Sequence, residues 1–498
     1  MTNPYQDTIV APATTPGTGA ISIIRMSGPE VFRIADAVVQ LRSGTISESD
    51  GYTIKYGEVY EISPHASLGR DDKGAVGRDD RIVISSEVEK SLLDEVLVSV
   101  FRAPHSYTGE DSVEISTHAS AYIVQELIGL LLKAGARFAQ PGEFTRRAFL
   151  NGKMDLAQAE AVADVIASNT SASHRVAMNQ LKGGFSKELA TLREQLLEMA
   201  SLLELELDFS EEDVEFADRR QLETLLDATL QHVERLAASF RQGNMIKNGV
   251  PVAIVGAANA GKSTLLNTLL GEERAIVTDI PGTTRDTIEE TLVIDGILFR
   301  FIDTAGIRDA SDKVEKLGID RTFRKLSEAE IVLGVLDSTA DLTEQLQSIC
   351  SRVSLDSQQL VLLLNKADIV GPEGVNKNVT TINKFVSSLD NKVDIIAISA
   401  KDGKGLSELK SALAQAEKGL IPNADSTFVT NTRHYEALLN ASSALRDCRT
   451  SLSAGIPSDL VAEDLRRGLS SINAILGTGL LDPETILHTI FSRHCIGK

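Results

Sequence analysis

Val252-Ala-Ile-Val-Gly-Ala-Ala-Asn-Ala-Gly-Lys-Ser263 runs from a short apolar strand through a glycine-bounded loop into the helical stretch TLLNTLL. This is the GxxxxGK[ST] pattern in the setting it requires, strand then loop then helix. Glycines let the backbone wrap phosphate oxygens, and amides at a helix N-terminus point at the anion. Lys262 would neutralise β- and γ-phosphate charge, and the Ser263 hydroxyl would ligate Mg²⁺. A glycine-rich turn arising by chance is the alternative, and the flanking elements argue against it.

Three further apolar runs end in polar signals. Ile297-Leu-Phe-Arg-Phe-Ile302 leads into Asp303-Thr-Ala-Gly306. There the aspartate would hold Mg²⁺ through a water and the Gly306 amide would sense the γ-phosphate. Alone DTAG reads equally as a surface turn; downstream of a P-loop it reads as a switch. Leu360-Val-Leu-Leu-Leu364 delivers Asn365-Lys366-Ala367-Asp368. A carboxylate that accepts from guanine N1–H and the exocyclic amine rejects adenine, which would leave it unpaired. Val393-Asp-Ile-Ile-Ala-Ile398 ends in Ser399-Ala400-Lys401, whose backbone would meet guanine O6. Between the first two motifs lies Thr278-Asp-Ile-Pro-Gly-Thr-Thr-Arg-Asp286, an ordinary loop by composition, in which Thr284 is the candidate for the second protein ligand of Mg²⁺. The guanine-nucleotide pocket so expected takes Asn259, Ala260, Gly261, Lys262, Ser263 and Thr264; Thr278, Asp279, Ile280, Pro281, Gly282, Thr283 and Thr284; Asp303, Thr304, Ala305 and Gly306; Asn365, Lys366 and Asp368; and Ser399, Ala400 and Lys401.

Outward from this segment the chain divides. A length of 498 residues exceeds one core, and about 150 residues per domain suggests three units. Short β-branched runs at Ala20-Ile24, Tyr52-Tyr60, Leu97-Phe101 and Ser112-Ile115 predict strands before about residue 118. Helical periodicity follows over 119–249 through IVQELIGLLLKA, DLAQAEAVADVIA and LREQLLEMASLLELEL. A βα alternation occupies 250–420, implying a mostly parallel sheet, and helical periodicity returns over 421–498. The economical reading is one helical bundle interrupted by an inserted α/β domain; two independent helical domains are the alternative. Residues 64–80 carry GRDD twice and read as an exposed loop.

Composition narrows the function classes. Hydrophobic residues at 42% and charged residues at 24% are ordinary for globular protein. No uncharged apolar run reaches the ~18 residues a membrane helix needs. The first residues, MTNPYQDTIVAPATT, show neither a basic start nor an apolar signal core, as a cytoplasmic protein would. Cys350, Cys448 and Cys495 are too few and scattered for a disulfide framework or zinc cluster. A net charge of −20 gains nothing from counterion release on a phosphate backbone, so any action on RNA needs a local basic patch or a basic partner.

Hydrolysis needs a water held in line and positive charge facing the β–γ bridge. Many small GTPases place a glutamine after DxxG; here that residue is Ile307, which cannot hydrogen-bond water. GAANAGKSTLLN, TDIPGTTRD, DTAGIRDASDKVEKLGIDR, NKADI and the terminal Cys495-Ile-Gly-Lys498, with DTIVAPATTPGTGAISIIRMSG and PGEFTRRAFLNGKMDLAQAEAVADVI earlier, closely resemble the MnmE (TrmE) family of bacterial tRNA-modification GTPases. The likeness covers nearly the whole chain. It departs from the family pattern in the 64–80 insertion and in the small pair Ala257-Ala258.

The resemblance implies a multi-domain protein: an α+β N-terminal tetrahydrofolate-binding and dimerisation domain, an all-α helical bundle, and an inserted Ras-like α/β P-loop GTPase domain. It implies K⁺ activation without an arginine finger. Asn259 matches the P-loop asparagine that ligates K⁺, with Thr278, Ile280 and Thr283 as further ligands, completed when two GTPase domains meet. Glu315 matches the family's catalytic glutamate, although by itself it reads as a solvated helix charge. Arg25, Glu110, Lys153 and Lys498 match positions that contact 5-formyl- or methylene-tetrahydrofolate, whose glutamate tail suits cations and whose pterin suits a carboxylate. Composition alone makes Arg25 and Lys153 surface residues. Cys495 matches a cysteine needed for modification; a small buried residue near a terminus is the other reading. The family works as a homodimer with the FAD-binding protein MnmG. It adds an aminomethyl or carboxymethylaminomethyl group at C5 of the wobble uridine of certain tRNAs. The rival from another class is a ribosome-assembly GTPase, which shares the nucleotide motifs but lacks the N-terminal domain and the CIGK terminus.

Overall fold

The computed structural model describes residues 7–15, 17, 19–62, 90–208, 219–273, 289–302, 326–387, 393–418, 427–478 and 497. They form two compact units, one running to Ala163 and taking in Gly497, the other running from Asp164 to Thr478.

Among the described residues the first unit has seven strands: β1 (Ile9–Pro12), β2 (Ile21–Ser27), β3 (Val39–Leu41), β4 (Thr53–Ile62), β5 (Lys90–Phe101), β6 (Ser112–His118) and β7 (Arg137–Phe138), in the order β3-β4-β5-β6-β2-β1-β7. Alternation sets their faces: Ile24 and Met26 of β2, Val113 and Ile115 of β6, and Val96, Val98 and Val100 of β5 all enter one core. Helices α1 (Val31–Val38) and α2 (Ala121–Lys133) cover that core with Val31, Ile34, Leu127 and Leu131. The sequence boundary at 118 therefore separates β6 from a helix sharing its core. Burying Leu127 and Leu131, each worth about 1.5–3 kcal/mol, ties α2 to the sheet. Helix α3 (Glu143–Leu150) follows, and α4 (Leu156–Ala167) carries the chain into the second unit.

In the second unit, α5 (Ser171–Leu181), α6 (Gly184–Asp208), α7 (Arg219–Ala238) and α8 (Phe240–Asn248) precede the α/β segment. That segment comprises β8 (Val250–Gly256), α9 (Lys262–Glu273), β9 (Glu289–Ile294), β10 (Ile297–Ile302), β11 (Ile331–Asp337), α10 (Leu342–Cys350), β12 (Gln359–Asn365), α11 (Ala367–Val386, broken at Gly371), β13 (Asp394–Ala397) and α12 (Leu406–Lys418); α13 (Thr432–Ser453) and α14 (Ser458–Leu476) follow it. The helices from both sides form a single bundle. Helix α6 buries Phe185, Leu189, Leu192, Leu196, Met199 and Leu203, α13 buries Leu438, Ala441, Leu445 and Leu452, and α14 buries Val461, Leu465, Ile472 and Ile475, spacings of three and four that make a continuous apolar stripe. Phe185 meets the His434 ring at a centroid separation of 5.3 Å. Arg193 Nε donates to Asn473 Oδ1 at 3.1 Å.

The inserted sheet has the order β13-β12-β11-β8-β10-β9, parallel except for β9. Strand β8 reads as an unbroken apolar run because both its faces are covered: Val252 and Ile254 enter one core, Ala253 and Val255 the other. The carboxyl ends of β8, β10, β11, β12 and β13 share one edge, where ligands bind in open α/β sheets. Sequence reading found β8, β10, β12 and β13 but neither β9 nor β11, IVLGVLD, which carries no signature of its own.

Candidate active site

The P-loop leaves β8 at Gly256 and enters α9 at Lys262. Asn259 stands at φ +62° and Gly261 at φ +99°, so the loop turns through left-handed geometry that glycine tolerates and asparagine accepts better than most residues. Lys262 Nζ arches over the loop, donating to the carbonyls of Gly256 at 2.9 Å and Ala257 at 2.8 Å. Ser263 is half-buried, and Asn259 and Thr264 are exposed.

Asn365 is the centre of the arrangement. It is 3% exposed. Its Nδ2 donates to the Ala260 carbonyl at 2.7 Å, and its Oδ1 accepts from the Ala400 amide at 2.9 Å. One buried side chain thus joins the P-loop, the Asn-Lys-Ala-Asp segment and the Ser-Ala-Lys segment, and Thr268 of α9 adds a bond to the Ala400 carbonyl at 2.8 Å. Lys366 is left-handed at φ +62°; its ammonium pairs with Asp337 at 2.5 Å. Burial works to raise the Asp337 carboxyl, but its bonds to Lys366 and Thr339 outweigh that and hold it below the usual range. Asp368, in the first turn of α11, is exposed, as is Lys401, while Ser399 is buried.

The structure therefore brings together Asn259 to Thr264, Asn365, Lys366, Asp368 and Ser399 to Lys401. Thr278 to Thr284, Asp303 to Gly306, Glu315, Cys495, Lys498 and the 64–80 segment lie outside the described residues. Cys448 packs in the α13 stripe, where burial and then the Asp464 carboxylate push its thiol up to about 12, and burial raises Cys350 as well. Neither is suited to thiolate chemistry at neutral pH.

In the first unit the loop 104–111 gathers the other expected residues. Arg25 lies opposite Glu114 in the β2–β6 register and pairs with it at 2.8 Å. Its guanidinium sits 5.4 Å from the centroid of Tyr107. Glu110 Oε2 accepts from Ser27 Oγ at 2.9 Å and from Arg147 Nη1 at 3.2 Å. Lys153 Nζ donates to the Pro104 carbonyl at 3.1 Å, and a Cβ on Gly109 would sit 3.3 Å from the Lys153 stem. Gly497 is seated here too: its carbonyl accepts from Arg25 at 3.2 Å, and a Cβ would meet the Pro12 carbonyl oxygen at 2.1 Å. Only glycine fits that approach.

Arg147 organises this region, and sequence reading missed it. It is fully buried and binds Asp7 Oδ1 at 2.7 Å, the Asp7 carbonyl at 2.9 Å, Glu143 Oε1 at 3.1 Å and Glu110. Arg137 binds Asp7 and Glu143 at 2.5 Å each. Burial works to raise both carboxyls, but the Arg137 hydrogen bonds and the Arg147 charge hold both below their usual range. The available signal was periodicity, since Arg147 shares a helical face with Phe144 and Ala148 and would otherwise point a charge into the core.

The family model described as the MnmE helical domain matches residues 156–495. The one described as the GTP-binding protein TrmE N-terminus matches residues 8–153. The chain belongs to the MnmE family of tRNA modification GTPases. The tRNA modification GTPase MnmE of Bacteroides fragilis is 48% identical over 497 residues, 99% of this chain and 100% of that protein. The MnmE of Bacteroides thetaiotaomicron is 47% identical over 497 residues, again 99% and 100%. That of Flavobacterium johnsoniae is 46% identical over 501 residues, 99% of each chain. A solved structure of Era with MgGDPNP and nucleotides of 16S ribosomal RNA is similar at 27% identity over 39% of this chain and 66% of that one, with a TM-score of 0.29, too loose a likeness to decide anything. The MnmE helical-domain match spans the α/β insertion from both sides, as the single bundle does. Among the described residues no helix is long and apolar enough to cross a membrane.

Proposed function

We propose that this chain, a GTP-hydrolysing enzyme of tRNA modification by its family, runs a K⁺-activated cycle serving the wobble uridine of certain tRNAs. The observation that carries the nucleotide site is the Asn365 bridge between Ala260 and Ala400, which joins three sequence-distant motifs. Asp368 would accept from guanine N1–H and the exocyclic amine. Because the Ala400 amide is engaged by Asn365 and the Ser399 amide by the Lys404 carbonyl, the O6 contact would fall to the Lys401 amide. Lys262 would turn from its loop carbonyls to the β- and γ-phosphates.

The hydroxyl of Ser263, with that of Thr284, suits Mg²⁺, and the amide oxygen of Asn259 with Thr278, Ile280 and Thr283 suits K⁺, both being hard cations that take oxygen donors. These ions supply positive charge across the phosphates when bound. Glu315 would orient the attacking water, the task that Ile307 cannot perform. Arg25, Lys153 and Lys498 would meet the glutamate tail of a one-carbon tetrahydrofolate. Glu110, whose two bonds both use Oε2, would offer Oε1 to the pterin. The working form would be a homodimer with the flavoprotein MnmG, adding an aminomethyl or carboxymethylaminomethyl group at C5.

GTP turnover by the purified chain is expected to be at least about tenfold faster in K⁺ than in Na⁺ at equal ionic strength, because a cation facing the developing phosphate charge acts on the transition state. Equal rates in the two salts would refute K⁺ activation. Mass analysis of tRNA from a deletion strain tests the pathway: unchanged wobble uridines would favour the ribosome-assembly alternative.

A further inference from the structure

We propose that Asp337 is a positioning residue for nucleotide binding: it holds the Lys366 side chain in place as an apolar cover for the purine ring. This rests on the guanine pocket described above. Strand register sets Asp337, the last residue of β11, opposite Asn365, the last of β12. Its Oδ2 pairs with Lys366 Nζ at 2.5 Å, and the two side chains are only 15% and 30% exposed. The other oxygen is fixed from behind, accepting from the Thr339 amide at 2.9 Å and the Thr339 hydroxyl at 2.6 Å. Buried Gln345 clamps the Asp337 backbone, accepting from its amide at 2.8 Å and donating to its carbonyl at 3.2 Å. Next along, Ser338 takes hold of the lysine backbone, its Oγ donating to the Lys366 carbonyl at 3.0 Å and its amide to the Asn365 carbonyl at 3.1 Å. Lys366 is gripped at both ends.

Such a grip has a physical use. A free lysine stem loses much rotamer freedom when a ligand orders it, whereas a stem already tied to a carboxylate presents its methylenes as a ready-made apolar surface. The cover touches the face of a purine and not its edge. It therefore strengthens binding without telling one purine from another, leaving that choice to Asp368.

Asp337→Ala and the gentler Asp337→Asn are to be compared with the wild-type chain for binding of GDP and of inosine diphosphate, which lacks the exocyclic amine, and for GTP turnover. Asp337→Ala is expected to weaken both diphosphates by the same factor, about tenfold, and to raise KM for GTP correspondingly while kcat moves less than about twofold. Asp337→Asn, which keeps an acceptor for Thr339, is expected to show a smaller loss in the same pattern. The proposal is overturned if GDP affinity stays within about twofold of wild type in both variants, if the loss falls on GDP alone, or if kcat drops with KM unmoved. Failure of the wild-type chain to bind GDP would instead overturn the guanine-pocket reading.

Discussion

Gly261→Ala is expected to cost about 100-fold in GDP affinity without unfolding the chain. An added Cβ would stand 2.2 Å from Asn365 Nδ2, at a φ of +99° that side chains rarely adopt. Displacing Asn365 forfeits its bonds to Ala260 and Ala400, about 1 kcal/mol each, and left-handed backbone adds about 1 kcal/mol more. The free variant loop can relax out of this shape and must be forced back into it to hold a phosphate, so the sum, about 3 kcal/mol, falls on binding as about two decades. Titration with a fluorescent GDP measures it, and circular dichroism checks the fold. Affinity within a few-fold of wild type would mean that the loop keeps its binding shape without the asparagine bridge.

Arg147→Ala is expected to strip protection from the N-terminal sheet by two to three orders of magnitude in hydrogen exchange of β1, β2 and β6. Removing one partner of a buried ion network costs about 3–5 kcal/mol because the remaining charges stay buried. Glu143 and Glu110, 5% and 10% exposed, are those charges, whereas Asp7 is 43% exposed and keeps its pairing with Arg137. Arg147→Lys should recover only part of the loss, since one ammonium cannot reproduce the guanidinium fork. The pH dependence has a definite sign. The folded-state pKa values of Asp7 and Glu143 are lowered, so their stabilisation is present above the unfolded values near pH 4 and is lost as pH falls through the folded ones. The alanine variant, with smaller shifts, should show a shallower acid slope. Unaltered exchange in the variant would show that Arg147 does not hold the sheet edge together.

These two sites differ in how they could be read. The turn at Gly261, Lys262 and Ser263 was legible because its geometry is local: a strand, a turn and a helix start follow one another in the chain. The place of Asp368 was legible for the same reason, since it follows directly on the end of β12. Asp337 was not, because IVLGVLD resembles any buried strand and its aspartate acquires a role only when parallel pairing sets it beside Asn365. Arg147 was quoted within a family-like segment, yet nothing nearby in the chain names its partners at positions 7 and 110. The packing of α2 was not legible for the same reason, since helical periodicity begins near 118 while the apolar face of α2 packs against the strands before it.

The sequence by itself determined strand β8 with the turn and helix start that follow it, the polar segment that leaves β12 and an α/β unit set into a helical bundle, because each depends on backbone geometry and residue type within a short span. Only the tertiary structure decided that Asn365 locks three motifs together, that Lys366 is steered by an aspartate from another strand, and that Gly497 seats against Pro12 beside Arg25. The reason is burial: whether a charge or a glycine lies in a crowded, water-poor place depends on which distant segments pack around it.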